Sequence, residues 1–442
     1  MRWTTPTDDQ YDERRALFNG MIDGRPRLIA TCESPADVVA ALSRATSDDL
    51  EIAVRSGGHS VAGTSTVDDG LVIDVRGMKG IDIDPDRRTA RVGAGVTWGE
   101  FDAAAQLHGL ATTGGRVSTT GVAGFTLGGG SGWLERKHGL ACDNLIGVDL
   151  VTADGREVRA DESTNPDLFW ALHGGGGNFG VATSFDFRLH AVGPVLMSGL
   201  MAWPVEAAAD VGRAYLAWAT DAPDELGSGL VVLTGPPEEF IPPHLQGEKL
   251  VGLAVCWCGD DAMADEVVAP MRALRPEVDL VNRMPYVELQ QMIDDPPGFR
   301  NYWSADFHDE FDEKALDVFL ESGETLPSPI TQQILFPWGG AVARLGGDTP
   351  MAQRDARWVS HPFAMWEDPA DDDRVMGWVR EFRANIAPFA NGGTYLNFIG
   401  DEGEDRVRAA YGESAYDRLA KIKAEYDPTN RFHRNQNIRP AG

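Results

Sequence analysis

Apolar and polar positions along the first 190 residues predict short strands alternating with helices. The segment 34–45 predicts a helix, because Ser34 can cap its start and Asp37 completes a capping box. Thr97 followed by Glu100 marks the start of another helix in the same way. A short helix is expected at 165–172. Runs rich in β-branched residues between turn residues predict strands at 51–56, 70–75, 88–96, 146–153, 156–160 and 180–190.

The pattern changes near residues 192–194, where glycine clusters become rarer and tryptophan more frequent. From there to about residue 393, apolar strands alternate with amphipathic helices, which predicts a separate α+β domain with a large sheet. Strands are expected at 229–235, 249–258, 301–307, 329–336 and 394–398, and helices at 205–219, 312–323, 372–387 and 414–426.

Length and charge narrow the possible classes of protein. The 442 residues suffice for two or three domains, and 68 acidic against 39 basic residues give a net charge of −29. Such a charge repels nucleic acids and anionic membranes, so neither is an expected partner. No apolar run approaches the roughly 20 residues of a membrane span, and the polar first residues do not resemble a signal peptide.

The four cysteines are too few and too scattered for a disulfide framework. Cys256 and Cys258 are expected to be buried thiols, because a lone C-x-C pair lacks the further ligands of a metal site. We therefore expect a reduced, cytoplasmic protein without a bound metal.

Three glycine clusters suggest ligand binding, at 57–58, 128–132 and 174–180. Consecutive amides after a strand, as in Arg55-Ser56-Gly57-Gly58-His59-Ser60, can form a concave nest for a pyrophosphate. Residues 175–180 satisfy G-x-G-x-x-G, but a strand and not a helix is predicted to follow, which argues against a Rossmann site. The motifs of P-loop NTPases, zinc proteases and serine hydrolases do not occur in the sequence.

The sequence resembles the berberine-bridge-enzyme-like FAD oxidoreductases of the vanillyl-alcohol-oxidase superfamily. The resemblance rests on these glycine-rich stretches together with LVTADG, NPDLFWALHGGGGNFGVATSF and the terminal YDPTNRFHRNQNI. The likeness runs in order from about residue 24 to 440 and is greatest to bacterial members of the 6-hydroxynicotine oxidase type. It implies an FAD-binding domain of two subdomains at 20–192, a substrate domain with a large, helix-covered antiparallel sheet at 193–393, and a segment at 394–442 that returns to the FAD domain.

The resemblance also implies the cofactor contacts. His59 matches the histidine that bonds covalently to the flavin, and Val117 stands where many members have a second, cysteine attachment, so FAD is expected to be linked through His59 alone. The other positions that match cofactor-binding residues are Arg55, Ser56, Gly57, Gly58, Ser60, Gly115, Ser118, Thr120, Gly121, Gly129, Gly132, Gly180, Val181, Asn435 and Asn437.

The substrate side departs from the family at Phe398, where many plant relatives have a tyrosine that acts as base. If 394–398 is a strand, Tyr395 and Asn397 share the face opposite Phe398. Tyr395 is then the candidate acid or base, with Asn397 beside it; the alternative is a structural role for the tyrosine. Tyr302 and Gln333 are expected to line the substrate pocket or to belong to the core.

The resemblance implies hydride transfer from a small alcohol, sugar or amine to FAD, with O2 as the acceptor and H2O2 as the product. The small Thr120, near the position that limits oxygen access in relatives, favours an oxidase. The alternatives are a flavin dehydrogenase with another acceptor, a flavin-binding protein without catalysis and a colourless sugar-binding protein. The sequence predicts neither the identity of the substrate nor the oligomeric state.

Overall fold

The computed structural model describes residues 1–400 and 402–442. The strands of this part of the chain are β1 (Arg2–Thr4), β2 (Leu28–Thr31), β3 (Ile52–Arg55), β4 (Leu71–Asp74), β5 (Ile81–Asp84), β6 (Thr89–Gly93), β7 (Leu110–Ala111), β8 (Leu145–Val151), β9 (Glu157–Asp161), β10 (Val181–Arg188), β11 (His190–Ala191), β12 (Val195–Pro204), β13 (Leu226–Thr234), β14 (Lys249–Trp257), β15 (Val278–Asp279), β16 (Asn282–Pro285), β17 (Arg300–Trp303), β18 (Asp306–His308), β19 (Gln332–Pro337) and β20 (Trp358–Trp366).

The α-helices of the described residues are α1 (Tyr11–Arg15), α2 (Pro35–Ser47), α3 (Trp98–Gln106), α4 (Val122–Leu127), α5 (Glu135–His138), α6 (Pro166–Ala171), α7 (Ala208–Thr220), α8 (Ala264–Arg272), α9 (Tyr286–Leu289), α10 (Glu313–Glu324), α11 (Ala341–Arg344), α12 (Asp372–Ile386), α13 (Glu404–Tyr411) and α14 (Glu413–Tyr426). None of them is long and apolar enough to cross a bilayer.

Two small sheets form from the first 190 residues. The first sheet has the strand order β1-β2-β4-β3. Strands β2, β4 and β3 are parallel, and β1 (residues 2–4) pairs with β2 in the antiparallel direction at one edge. The second, β5-β6-β10-β8-β9, is antiparallel. The capping boxes predicted at Ser34 and Thr97 are both present, and β10 directly follows residues 175–180, which confirms that no helix begins there.

Strands β7 and β11 form a separate two-stranded sheet. The strands from β12 to β20 form one large antiparallel sheet with the central order β15-β12-β14-β13-β19-β20-β17. Helices α7, α8, α10 and α12 pack their apolar sides against one face of it and enclose a core. The predicted α+β class with a large, helix-covered antiparallel sheet is confirmed. The other face of this sheet is turned towards the two small sheets.

Two predictions of secondary structure are wrong. The strand expected at 301–307 is broken into β17 and β18. The segment expected as a strand at 394–398 is instead a 3₁₀ turn over Leu396–Phe398, closed by the Phe398 amide donating to the carbonyl of Tyr395 at 2.9 Å. Because the chain turns here, the strand alternation does not apply to Tyr395 and Asn397.

The C-terminal segment is fixed by a buried lysine. The Nζ of Lys423, on α14, donates to the carbonyl of Phe432 at 2.8 Å and to the backbone carbonyl and side-chain oxygens of Asn178 at 3.2 Å. Asp427 lies 3.3 Å away and balances its charge, and both side chains are fully buried. This pair holds the end of the chain against the third glycine cluster.

A buried carboxyl connects helix α3 to the segment that follows helix α9. Asp102, on α3, accepts a hydrogen bond of 2.8 Å from Nε2 of Gln290, which follows α9. The same nitrogen donates to the carbonyl of Gly115 at 3.1 Å. Burial raises the pKa of Asp102 to about 7, and the hydrogen bond from Gln290 opposes this only in part.

Asp102→Asn should remove a pH dependence of stability. The carboxyl ionises near pH 4 when unfolded but only near pH 7 when folded, so the folded chain binds the extra proton between these values. The free energy of unfolding therefore falls as the pH rises from 4 to 7, by at most ~1.4 kcal/mol per pH unit from this group. Urea unfolding at pH 5 and 7.5 measures it; the same pH dependence in both proteins would contradict the assignment.

Candidate functional site

A cavity of about 810 Å³ lies between the glycine-rich loops and the inner face of the large sheet. It brings together residues that are far apart in sequence, from Ile52 to Gln436. Of the predicted cofactor-binding and catalytic residues, those that line it are Ser56, Gly57, Gly58, His59, Ser60, Gly115, Val117, Thr120, Gly121, Gly180, Asn397 and Asn435. The others, which support its wall from behind or lie elsewhere, are Arg55, Ser118, Gly129, Gly132, Val181, Tyr302, Gln333, Tyr395 and Asn437.

The loop after β3 is braced from behind by Arg55. Its guanidinium donates to the backbone carbonyls of Arg14 and Ala16 at 2.5 and 2.6 Å and is buried. In front of it, the backbone amides of residues 57–61 donate no hydrogen bond to any described residue. These residues line the cavity, and backbone amides without a protein partner can donate to an anion there.

Two glycines let this loop touch the glycine tract, which we define as residues 114–132. A Cβ on Gly57 would lie 2.2 Å from the amide nitrogen of Gly121, and one on Gly121 would lie 2.3 Å from that of Gly57. No side chain fits between the two backbones. The cavity floor is therefore made of main chain at this point.

His59 lies on this floor with one ring nitrogen occupied. Its ring stacks on Phe18 with centroids 4.1 Å apart, and Nε2 lies 2.9 Å from the hydroxyl oxygen of Thr119. Burial lowers the pKa of His59 to about 4, so the ring is neutral at physiological pH. Its Nδ1 has no hydrogen-bond partner among the described residues.

Tyr395 holds the glycine tract from behind. Its hydroxyl oxygen accepts hydrogen bonds from the backbone amides of Gly130 and Ser131, at 2.7 and 2.9 Å, and from Nδ2 of Asn397 at 3.1 Å. The Asn397 amide also donates to the carbonyl of Phe125 at 3.0 Å. Burial raises the pKa of Tyr395, although the bonds from Ser131 and Gly130 act in the opposite direction. The phenol is thus protonated at neutral pH and outside the cavity lining.

Ser118 is held by an aspartate from the loop after α9. Asp294 accepts hydrogen bonds from the Ser118 amide at 2.6 Å and from its hydroxyl at 2.5 Å. The neighbouring Asp295 also lines the cavity, and burial, followed by the charge of Asp294, raises its pKa to about 6. These carboxylates were not predicted from the sequence, where DDPPG reads as an ordinary turn.

The inner face of the large sheet is mainly apolar. Its aliphatic and aromatic side chains that line the cavity are Leu200, Ala202, Val231, Leu233, Leu250, Ala254, Trp303, Ile334, Phe336 and Phe363. His361 is a polar exception on β20, and sequence reasoning missed it. The available signal was a histidine inside the apolar run WVSHPFAMW.

Tyr302 and Gln333 were expected to line the substrate pocket or to belong to the core, and neither of them lines the cavity. Gln333 is fully buried on the helix side of the sheet, where its Nε2 donates to the carbonyl of Phe319 at 3.0 Å. Tyr302 packs with the same helix-covered core, under the guanidinium of Arg380. Their strand neighbours Gln332 and Trp303 line the cavity instead, since successive side chains of a strand face opposite sides.

The returning tail adds polar groups near the third glycine cluster. Asn435 donates through Nδ2 to the carbonyl of Phe432 at 2.9 Å, and its Oδ1 is buried without a partner among the described residues. The Oδ1 of Asn437 is unpaired in the same way. Gly180 lines the cavity, while Val181 begins β10 behind it.

Two family models match parts of the chain that contribute to this cavity. Residues 26–161 match an FAD binding domain, and residues 394–439 match the model described as berberine and berberine like. Over 99% of its length, the chain is 30% identical to the FAD-linked oxidoreductase YgaK of Bacillus subtilis (strain 168), 97% of which it covers. The chain belongs to the berberine-like family of FAD-linked oxidoreductases.

Two further similarities are to enzymes of a single type. The chain is 30% identical to (R)-6-hydroxynicotine oxidase of Paenarthrobacter nicotinovorans over 99% of its own length and 96% of that protein. Its fold matches the crystal structure of 6-hydroxy-D-nicotine oxidase from Arthrobacter nicotinovorans with a TM-score of 0.90 and 29% identity, over 100% and 98% of the two chains. The protein is therefore an FAD-dependent oxidoreductase.

Tyr395→Phe tests the bracing of the glycine tract. The variant leaves the buried amides of Gly130 and Ser131 without an acceptor, so the free energy of unfolding should fall by about 2 kcal/mol. Urea unfolding of the holoprotein measures the change. The matched control is Tyr286→Phe, because the buried hydroxyl of Tyr286 has no hydrogen-bond partner among the described residues. Equal losses in the two variants would contradict a bracing role for Tyr395.

Proposed function

We propose that the protein is an oxidase that holds FAD through one covalent bond, to His59, and oxidises a small, mainly apolar alcohol or amine, with O2 as the acceptor and H2O2 as the product. The observation that carries this proposal is one cavity that joins the free nitrogen of His59 to the apolar face of the large sheet. In this proposal the parts that bind FAD are 20–192 and 394–442, and residues 193–393 enclose the substrate.

The unpaired polar groups of the cavity fit FAD. The amides of residues 57–61 suit the pyrophosphate, since they are donors without partners among the described residues. The unpaired Oδ1 of Asn435, which lines the cavity, suits a donor of the nucleotide or flavin. The glycine tract offers a floor without side chains, against which a flat ring system can lie.

A single covalent bond fits the geometry at His59. Thr119 occupies Nε2, which leaves Nδ1 to bond carbon, and the lowered pKa keeps the ring in the neutral, nucleophilic form. Phe18 fixes the plane of the imidazole. Val117 lines the cavity but has no nucleophilic atom, so it cannot form a second link.

When bound, FAD accepts a hydride from a C–H bond of the substrate. The chain's own residues orient and enclose that substrate. The aliphatic face of β12, β13 and β14 offers few hydrogen bonds to a sugar, which needs a donor or acceptor for each hydroxyl. An apolar alcohol or amine, the other two classes expected from the sequence, suits this face better. Small residues at Thr120 and Gly121 keep the floor open, which favours access of O2.

We also propose a cytoplasmic location without nucleic-acid or membrane partners. The four cysteines are free and buried, as suits a reducing compartment. The net charge of −29 opposes binding to polyanions.

His59→Ala should release the cofactor. After acid precipitation, the yellow chromophore of the wild-type protein should stay in the pellet, whereas that of His59→Ala should pass into the supernatant. His108→Gln, at an exposed site, is the matched control and should keep the flavin in the pellet. Flavin in the wild-type supernatant would contradict the covalent bond.

Reoxidation tests the acceptor without any knowledge of the substrate. Holoenzyme reduced anaerobically with dithionite and then mixed with buffered O2 should regain its flavin absorbance within seconds and form H2O2 in equimolar amount to the flavin. Reoxidation over many minutes would instead support a dehydrogenase that uses another acceptor.

A further inference from the structure

His361 lies in the middle of a row of aromatic rings along the cavity. Its ring stacks on Phe398, with centroids 4.3 Å apart and an interplanar angle of 14°. On the other side it meets the edge of Trp303 at 5.9 Å. Trp303 in turn contacts Phe18, the ring that stacks on His59, while Phe398 contacts Tyr395. His361 thus lies between the His59 end of the cavity and the glycine tract.

The tautomer of His361 follows from one hydrogen bond. Its Nδ1 lies 2.7 Å from the backbone carbonyl oxygen of Ser304. A carbonyl only accepts, so Nδ1 must carry the proton. In the neutral ring, Nε2 therefore has the free lone pair.

That lone pair has no partner among the residues that the structure describes. The Nε2 of His361 makes no hydrogen bond to any described residue, and the side chain lines the cavity. The buried His308 differs, because its Nδ1 and Nε2 contact the carbonyl of Phe389 at 3.0 Å and the hydroxyl of Ser360 at 2.8 Å. His361 is thus a fixed proton acceptor directed into a mainly apolar cavity.

We propose that His361 is the catalytic base, and that the substrate is an alcohol with an apolar body. This inference rests on the proposed function. The alcohol's C–H bond breaks and its electron pair leaves as a hydride to FAD; the O–H bond breaks and its proton passes to Nε2 of His361; a C=O bond forms. The substrate is oxidised by two electrons, which pass to O2, and His361 returns its proton to solvent. A neutral amine would need no such base, since hydride loss leaves an iminium ion directly.

The electrostatics of the site keep the ring of His361 unprotonated, which is the form that can accept a proton. Burial lowers the pKa of His361 to about 4, the nearby guanidinium of Arg116 lowers it further, and the bond to Ser304 opposes both. The ring is therefore unprotonated at neutral pH. Among the other acid–base groups, Tyr395 accepts three N–H donors and Asp294 is held by Ser118. The hydroxyl of Tyr411, which also lines the cavity, donates to the carbonyl of Gly174 at 3.1 Å.

Asp295 is the rival base, because it lines the cavity and its carboxylate accepts no hydrogen bond from the described part of the chain. It lies in the loop after α9, beside the Asp294–Ser118 contact, whereas His361 is fixed on a strand of the large sheet. Asp295→Asn is therefore compared with the histidine variants. A loss of rate in Asp295→Asn alone would overturn the assignment of His361.

The test is anaerobic flavin reduction in stopped flow, with benzyl alcohol and N-methylbenzylamine as probes at pH 9.5. We expect benzyl alcohol to bleach the wild-type flavin, and His361→Gln and His361→Ala to slow this step about 100-fold or more. Imidazole should restore part of the rate in His361→Ala. His108→Gln is the control. Unchanged rates in both histidine variants, with covalent flavin intact, would overturn the inference.

The two probes separate this inference from the proposed function. If only the amine bleaches the flavin, the protein is still an oxidoreductase of the proposed kind. The assignments of an alcohol as substrate and of His361 as catalytic base would then both be wrong. If neither probe bleaches a covalently bound flavin, the proposed substrate class fails and this inference fails with it.

Labelling with diethyl pyrocarbonate supplies a readout without turnover. Peptide mapping of the holoenzyme should show carbethoxylation of His361 along with the exposed His108, but not of His308, whose two ring nitrogens are engaged. Full labelling of His108 with none of His361 would mean that the lone pair is not accessible from the cavity, and would overturn the inference.

Discussion

The hydrogen bonds that converge on the hydroxyl oxygen of Tyr395 determine the shape of the site. They join the returning segment after residue 394 to the amides of Gly130 and Ser131, about 265 positions earlier in the chain. Tyr395 directly precedes the 3₁₀ turn Leu396–Phe398, and the ring of Phe398 in this turn stacks on His361. One turn thus positions both the floor of the cavity and His361, which is the only histidine of the large sheet that lines the cavity among the described residues.

The two sides of the cavity have different chemistry because they are built from different parts of the backbone. On the floor, glycines bring main-chain amides to the surface, and the contact between Gly57 and Gly121 leaves no room for side chains. On the large sheet, every second side chain faces inward, and most of these are aliphatic. A cofactor held by amides and a substrate held by apolar contact would therefore meet between them.

Local signals in the sequence predicted the elements that depend on neighbouring residues. The starts of helices α2 and α3 could be predicted because the two residues of each capping box are only three positions apart in the sequence. The turn at 396–398 could not be predicted in this way, since the bonds that favour it come from residues distant in sequence. Gln333 shows a second limit: its strand was correct, but periodicity alone does not tell which set of alternate residues faces the cavity.

The histidine inside an apolar strand was visible in the sequence, but the direction of its lone pair was not, because it depends on a carbonyl 57 positions away. Likewise, the cofactor side was found by resemblance and not by periodicity. Free amides at 57–61 are visible only once the backbone is folded. Sequence patterns therefore located the strands and loops of the site, whereas the contacts that give them chemistry needed the structure.

The most direct test of the central claim is a crystal structure of the holoprotein. We predict that the isoalloxazine ring lies between the glycine tract and the inner face of the large sheet, with electron density continuous to Nδ1 of His59. We also predict that Nε2 of His361 is directed towards the substrate space above the ring. A flavin outside this cavity, or one whose ring is shielded from His361 by the protein, would contradict it.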